Sequence, residues 1–130
     1  MIGFDTSAII DLFNNDEKLK ELLVSLDDSF CSTIINYQEL IFGLDIVNKS
    51  SAEEYNFYES LFENFKTFLC DKNSCNKSGE IYQYLRKNGK MIDDFDCMIA
   101  GIFLFNGVNK IITRNVKHFE RIPGVKVLSY

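Results

Sequence analysis

Four oxygen-bearing side chains lie near the ends of expected β-strands in separate parts of the chain. Asp5 follows the first apolar segment, Glu39 lies a few residues after the second, and Asn115 follows the segment KIITR. Asp96 lies one turn inside an expected helix that begins near Asp93, so its side chain can point toward the same edge. Because parallel strands end at one edge of a sheet, where ligands bind, these side chains are expected to converge.

Such a convergence would suit a hard divalent cation. Oxygen ligands without histidine or cysteine favour Mg²⁺ or Mn²⁺ over zinc. A cation held in this way polarises a phosphoryl oxygen and lowers the pKa of bound water, which together favour phosphodiester hydrolysis. Each residue also has a purely structural interpretation, because Asp5 and Asn115 are also suited to capping helices and Glu39 to an exposed helix face. Taken singly, the residues leave these alternatives open.

The segment MIDDFDCMIAG carries three aspartates with different expected roles. Asp93 fits the N-cap of the helix, and Asp94 in the first turn gains from the helix dipole whatever else it does. Asp94 is also an additional candidate metal ligand, whereas Asp96 is one of the principal candidates. The small residues Ala100 and Gly101 are expected to let this helix pack closely against the sheet.

Short apolar segments alternate with segments of helical periodicity along the chain. The expected strands are residues 1–4, FCSTII, KTFLC, KIITR and VKVLS. The expected helices are TSAIIDLF, EKLKELLVSL, NYQELIFGLDIV, AEEYNFYESLFENF, GEIYQYLRKNG, DDFDCMIAGIFLFNG and a short turn, VKHFER, while DKNSCNKSG is expected to be a polar loop. This alternation predicts an α/β sandwich with a central parallel sheet flanked by helices on both faces.

Length and composition indicate one compact domain spanning residues 1–130, with 46% hydrophobic residues. No segment resembles a membrane helix or a signal peptide, so we expect no membrane association and a cytoplasmic location. The four cysteines contain no C-x-x-C pair, which argues against a zinc site and favours reduced, buried thiols. The residues concerned are Cys31, Cys70, Cys75 and Cys97.

The charge of the chain is distributed unevenly. A formal net charge of -5 weighs against nucleic-acid binding through overall charge. Between Lys110 and Lys126, however, five basic residues stand against a single acid, Glu120. This end of the chain is therefore either where a polyanion would bind or a solvated basic tail.

Four blocks together resemble the PIN-domain family, and more narrowly toxin nucleases of the VapC type. They are MIGFDTSAIIDL, INYQELIFGL, FDCMIAG and IITRNVKHFERIPGVKV, and they span nearly the whole chain. The last two blocks are the most specific. The resemblance implies a PIN-like α/β/α sandwich whose acidic pocket binds Mg²⁺ or Mn²⁺ and hydrolyses RNA.

Residue by residue, the family's acids fall on Asp5, Glu39 and Asp96, with Thr6 and Thr113 as polar supports. The fourth position is Asn115, where many PIN domains have an aspartate. The candidates for contact with RNA phosphates are Arg114, Lys117, His118 and Arg121.

The resemblance also implies partners, namely an RNA substrate, a VapB-like antitoxin that blocks the site, and a second copy in a homodimer. The expected aromatic helix carries more aromatic surface than one core face readily buries, so part of it is a candidate antitoxin groove, with core packing as the alternative. The residues concerned are Tyr55, Phe57, Tyr58, Phe62 and Phe65.

Other classes of protein are less well supported. A housekeeping PIN nuclease for RNA processing and a catalytically inactive PIN binding module both remain alternatives. A haloacid dehalogenase-like phosphatase would need a second aspartate where this chain has Ser7, and a response-regulator receiver would need an acidic pair after the first strand.

Overall fold

Strands and helices alternate along the chain in a computed structural model that describes residues 1–48 and 50–130. Within these residues there are five strands, β1 (Ile2–Phe4), β2 (Phe30–Thr33), β3 (Lys66–Phe68), β4 (Lys110–Ile112) and β5 (Lys126–Leu128). The same residues form seven helices, α1 (Thr6–Phe13), α2 (Glu17–Ser25), α3 (Ile34–Phe42), α4 (Ala52–Asn64), α5 (Lys72–Lys87), α6 (Asp94–Phe105) and α7 (Val116–Phe119). No helix in the described ranges is long and apolar enough to cross a membrane.

The five strands form one parallel sheet in the order β3-β2-β1-β4-β5. The first strand lies at the centre, where Ile2 pairs with Phe30 of β2 on one side and with Lys110 of β4 on the other. Parallel pairing brings the carboxyl ends of β2, β1 and β4 side by side at one edge. The predicted fold class is therefore confirmed.

Apolar side chains of the sheet alternate between two cores. Ile111 packs in a cluster with residues of α5 and α6, including Leu85 and Phe103. The next residue, Ile112, packs in a second cluster with residues of α1 to α4, including Ile9 and Tyr58. Because successive side chains of a strand point to opposite faces, a sheet covered on both sides requires consecutive buried residues of this kind.

Helix α5 begins earlier than the sequence predicts, so the interpretation of DKNSCNKSG as a loop is wrong. The carboxylate of Asp71 accepts a hydrogen bond from the backbone N of Ser74 at 2.8 Å, and the backbone N of Asp71 donates to Ser74 Oγ at 2.9 Å. This capping box starts α5 at Lys72. The polar composition reflects the exposed face of the first turns rather than an irregular segment.

Helix α3 is displaced toward the N-terminus relative to the prediction. Thr33 caps it, and Thr33 and Asn36 form a second capping box, so the helix begins at Ile34. Strand β2 therefore ends at Thr33, two residues before the end of the predicted strand. The helix ends at Phe42, five residues before the end of the predicted segment, where the backbone N of Gly43 donates to the carbonyl of Glu39 at 3.2 Å. Asn36 and Glu39 thereby lie one turn apart near the edge of the sheet.

Gly101 lets α6 approach α5, rather than the sheet as predicted. A Cβ atom at this position would lie 2.1 Å from Ser78 Oγ and 2.7 Å from Ser78 N. The close contact with the sheet instead depends on Gly3 of β1, whose Cβ would lie 2.6 Å from the ring of Phe103. The orientation of α6, which carries Asp96, thus depends on two glycines facing different neighbours.

The predictions for the cysteines and for the aromatic helix are each confirmed only in part. All four cysteines are free, and Cys31 and Cys97 are buried as expected, but Cys70 is only half-buried and Cys75 is exposed. In α4, Tyr58 is fully buried, and Phe57 and Phe62 pack against the same core cluster, as does Phe65 directly after the helix. Core packing therefore accounts for these four aromatic residues, whereas Tyr55 lines a surface cavity of about 370 Å³.

Substituting Gly101→Ala should destabilise the protein by about 1–3 kcal/mol, because the new methyl group meets the backbone of Ser78, which a change of rotamer does not relieve. The matched control is Gly79→Ala in α5, since a Cβ there meets nothing within 4 Å. This control should be neutral or stabilise the protein by up to about 1 kcal/mol through higher helix propensity. Urea denaturation measures both values, and equal stability of the two variants would contradict the packing assignment.

Candidate active site

Asp5 is held directly beyond β1 at the centre of the sheet edge. Its side chain is buried, with 3% of the residue exposed. The carboxylate accepts hydrogen bonds from Thr113 Oγ1 at 2.8 Å and Ser7 Oγ at 3.1 Å on one oxygen, and from Asn36 Nδ2 at 3.4 Å on the other. Within the described ranges, its side chain makes no capping hydrogen bond to α1. Burial raises the pKa of Asp5, and the hydrogen bonds from Thr113 and Ser7 oppose that rise.

Glu39 reaches the same edge from α3. Thr6 Oγ1 donates a hydrogen bond to its carboxylate at 2.7 Å, and Asn36 Nδ2 donates to the same hydroxyl at 3.0 Å. Partial burial raises the pKa of Glu39 to about 7, and repulsion from Asp5 and Asp96 adds to that rise. Glu39 is half-buried and its carboxylate lies near those of Asp5 and Asp96, so it does not lie on a solvated helix face.

Asp96 approaches from the other side of the sheet on α6. His118 Nδ1 lies 2.6 Å from its Oδ2 atom, and Asn115 Nδ2 lies 3.1 Å from the same oxygen. The two donors are themselves 2.9 Å apart, and both can donate to Asp96 only if the Nδ1 atom of His118 carries a proton. Burial raises the pKa of Asp96 to about 6, while the hydrogen bond from His118 opposes the rise.

The three carboxylates form one cluster. One oxygen from each of Asp5, Glu39 and Asp96 can be chosen so that all three lie within 4.8 Å of one another. In the described part of the chain, this is the only group of at least three acidic, histidine or cysteine residues with that geometry. Three hard oxygen donors that repel one another have the chemistry of a divalent-cation site, which fits the expected cofactor class.

The neighbouring aspartates lie differently. Asp93 is exposed and accepts a hydrogen bond from the backbone N of Phe95 at 2.9 Å, as an N-cap does. Asp94 is exposed and lines a surface cavity between α5 and α6 together with Tyr82 and Met98. The structure therefore does not bring Asp94 into the cluster of three carboxylates.

The four basic candidates also differ in their surroundings. Arg114 forms an ion pair with the buried Asp11 at 3.3 Å, and Arg121 donates to the backbone carbonyl of Met91 at 3.0 Å. His118 contacts Asp96, as described above. Lys117 is exposed and forms no ion pair with any residue that the structure describes.

Two supporting residues escaped the sequence analysis. Asn36 is fully buried and links Asp5 to Thr6, while Ser7 contacts both Asp5 and Thr113. The available signal for Asn36 was its position three residues after Thr33, which is typical of a capping box, and one turn before Glu39. Ser7 also accepts a hydrogen bond from the backbone N of Arg114, which ties α1 to the segment after β4.

Comparison with known proteins identifies the family. The PIN domain family matches residues 2–125, so the chain belongs to that family. Ribonuclease VapC1 from Methanocaldococcus jannaschii is 31% identical over 125 residues, covering 95% of this chain and 83% of that protein. The tRNA(fMet)-specific endonuclease VapC of Salmonella typhimurium is 28% identical and covers 93% of this chain and 90% of its own length.

A solved structure agrees with this assignment. A chain in the structure of VapBC-1 from nontypeable Haemophilus influenzae is 29% identical and has a TM-score of 0.79. The similarity covers 99% of this chain and 98% of that chain. The resemblance to VapC-type nucleases, noted from the sequence blocks, is thereby confirmed.

The raised pKa values predict how the metal-free protein responds to pH. The folded state holds protons on Glu39 up to about pH 7, against an ordinary pKa of 4.5, and on Asp96 up to about pH 6. Proton binding by these two carboxyls therefore favours the folded state. Its contribution to the free energy of unfolding is complete below the ordinary pKa values and is lost as pH rises through the pKa values of the folded state. In EDTA, a Glu39→Gln variant should therefore gain thermal stability relative to the parent protein as pH rises from 5 to 8.

Glutamine retains an oxygen that accepts the hydrogen bond from Thr6, so the comparison isolates the charge. The measurement is the difference in melting temperature between the two proteins at each pH. A difference that stays constant across the range would contradict the raised pKa of Glu39.

Proposed function

We propose that this protein is a metal-dependent endoribonuclease and the toxin of a type II toxin-antitoxin system. The observation that carries the proposal is the convergence of Asp5, Glu39 and Asp96 within 4.8 Å at the carboxyl edge of the sheet. Two similar proteins are named as VapC nucleases, which supports the same reaction. A non-catalytic binding module is not favoured, because all three acids are present and each has a polar residue holding it.

The cation proposed for this cluster is Mg²⁺ or Mn²⁺. Carboxylate oxygens alone, without nitrogen or sulfur donors, suit these ions. Asp5, Asp96 and Glu39 are the residues proposed to hold it. When bound, such an ion supplies Lewis acidity to the phosphodiester and promotes ionisation of the attacking water.

The protein residues have separate proposed roles in hydrolysis. Glu39 is proposed to share in holding the cation or to orient the attacking water, since its carboxylate lies in the same cluster as those of Asp5 and Asp96. Thr6 and Thr113 orient Glu39 and Asp5 through hydrogen bonds of 2.7 and 2.8 Å. Asn115, which lies 3.1 Å from Asp96, positions that carboxylate. No nucleophilic side chain is required.

The RNA substrate is proposed to approach along the segment after β4. Among the four basic candidates, Lys117 and Arg121 are exposed and form no ion pair within the described ranges. Arg121 already donates a hydrogen bond to the backbone carbonyl of Met91, so Lys117 is the strongest candidate for a phosphate contact. Arg114 remains 63% exposed despite its ion pair with Asp11, so its outer nitrogens are also accessible. The tRNA(fMet) named for the Salmonella relative supports a structured RNA substrate and a cytoplasmic location.

A VapB-like antitoxin is the proposed protein partner. Solved relatives are VapBC complexes, one of which is 29% identical to this chain. The apolar cavity lined by Tyr55 and Ile46, beside the exposed Val47, supports contact at the start of α4. The homodimer stays a prediction of the family resemblance, and the single domain spanning residues 1–130 stays a prediction from length and composition.

An Asp96→Asn variant should fold normally but lose cleavage by at least about 100-fold, because it removes a metal-facing charge without changing side-chain volume. The matched control, Asp94→Asn, changes a carboxylate two residues away that lies outside the cluster, and should retain activity. Expression of the parent chain without an antitoxin should arrest growth, and mapping of RNA 5′ ends should reveal new cleavage sites. Purified parent protein should lose activity in EDTA.

Retained metal-dependent cleavage by folded Asp96→Asn protein would overturn the assignment. Loss of activity in the Asp94→Asn control would place the metal nearer to the start of α6 than proposed.

His118 is proposed to position Asp96 rather than to bind RNA. Removing its hydrogen bond in a His118→Ala variant should weaken Mn²⁺ binding by about 10–100-fold, measured by calorimetric titration without RNA. A His118→Gln variant should recover part of the affinity, since its amide can donate to the same carboxylate. Lys117→Ala is the neighbouring control, which should leave Mn²⁺ binding unchanged and weaken only RNA binding. Unchanged Mn²⁺ affinity in His118→Ala would contradict this role and leave His118 as a candidate for contact with RNA.

A further inference from the structure

Two cysteines bring their sulfur atoms together at the start of α5, although they lie five positions apart. Cys70 stands two residues before Lys72, the first residue of the helix, and Cys75 lies near its first turn. Their Sγ atoms are 3.6 Å apart, and both are free thiols. Since Cys70 is half-buried and Cys75 is exposed, small reagents can reach the pair from solvent.

The helix cap holds the two sulfurs in this arrangement. Between them, Asp71 and Ser74 form the capping box that starts α5. The backbone N of Cys75 also donates to the carbonyl of Asp71 at 2.9 Å. The residues joining the two cysteines are therefore bonded to one another, so the short sulfur separation belongs to an ordered turn.

The remaining two thiols lie in a different environment. Burial raises the pKa of Cys31 to about 12 and that of Cys97 to about 11, so both stay protonated and inaccessible at neutral pH. Partial burial and the neighbouring sulfur also raise the pKa of Cys70. The exposed Cys75 is consequently the sulfur that meets a reagent first.

We propose that Cys70 and Cys75 are a thiol-modification site that low-molecular-weight disulfides, such as glutathione disulfide, convert to an intramolecular disulfide. The Cys75 thiolate attacks one sulfur of the small disulfide, which forms a mixed disulfide and releases one small thiolate. Cys70 loses its proton to solvent and attacks Cys75 Sγ, which breaks the mixed disulfide and releases the second small thiol. The two protein thiols lose two electrons and two protons, and the small disulfide gains them.

The purified full chain, first reduced and then treated with glutathione disulfide under native conditions, tests this proposal. Free thiols counted after denaturation should fall from four to two, and dithiothreitol should restore four. Trypsin cleaves after Lys66, Lys72 and Lys77, so it separates the two cysteines into peptides 67–72 and 73–77. In the oxidised protein, mass spectrometry without reduction should find these two peptides joined.

Variants in which one of the two cysteines is replaced provide the matched controls. Cys70→Ser should retain a stable mixed disulfide on Cys75, whereas Cys75→Ser should react far more slowly because Cys70 is half-buried and Cys31 and Cys97 are buried. Neither variant should give the joined peptide. Four free thiols after treatment, a bond from either residue to Cys31 or Cys97, or a covalent dimer joined through Cys70 or Cys75 would overturn the proposal.

Discussion

The burial of three carboxylates in one pocket is the constraint on which the arrangement of the site depends. Each of Asp5, Glu39 and Asp96 has a raised pKa whose largest cause is desolvation, so none is placed where a carboxylate is most stable. The surrounding hydroxyl and amide groups oppose this cost by donating hydrogen bonds to the ionised oxygens. An arrangement of this kind lowers the stability of the metal-free protein, and a positive charge placed among the three carboxylates would relieve the repulsion.

The sheet order explains how the cluster is assembled. Strands β2, β1 and β4 are neighbours at the centre, so the residues that follow them meet without long connections. Asp96 is the exception, because it comes from a helix whose position is set by packing. The contact of Gly101 with Ser78 fixes α6 against α5, and the hydrogen bonds from Asn115 and His118 then hold the carboxylate toward the edge. The fold and the site are thus coupled most strongly through α6.

Features of the structure that arise from patterns along the chain could be predicted from the sequence, whereas features that arise from contacts between elements could not. The alternation of strands and helices was visible as periodicity, and the rule that ligands bind at the carboxyl edge then singled out Asp5 and Glu39. The start of α5 was not visible, because a capping box overrides polar composition locally. The direction of Gly101 and the contact between His118 and Asp96 depend on how α6 packs against α5 and α7. Such contacts between elements have no periodic signature in one sequence.

The charge of the chain constrains how its partners are recognised. A net charge of -5 and an acidic cluster repel a polyanion, while the ion pair of Arg114 with Asp11 reduces the positive charge available nearby. A divalent cation held by the cluster would change this balance, because it would offset most of the negative charge of three carboxylates where an RNA phosphate would lie. A basic side chain of a protein partner can neutralise the same cluster without a metal ion. RNA and an inhibitory protein with a basic side chain would therefore compete for one electrostatic feature, with the metal favouring the RNA and its absence favouring the protein.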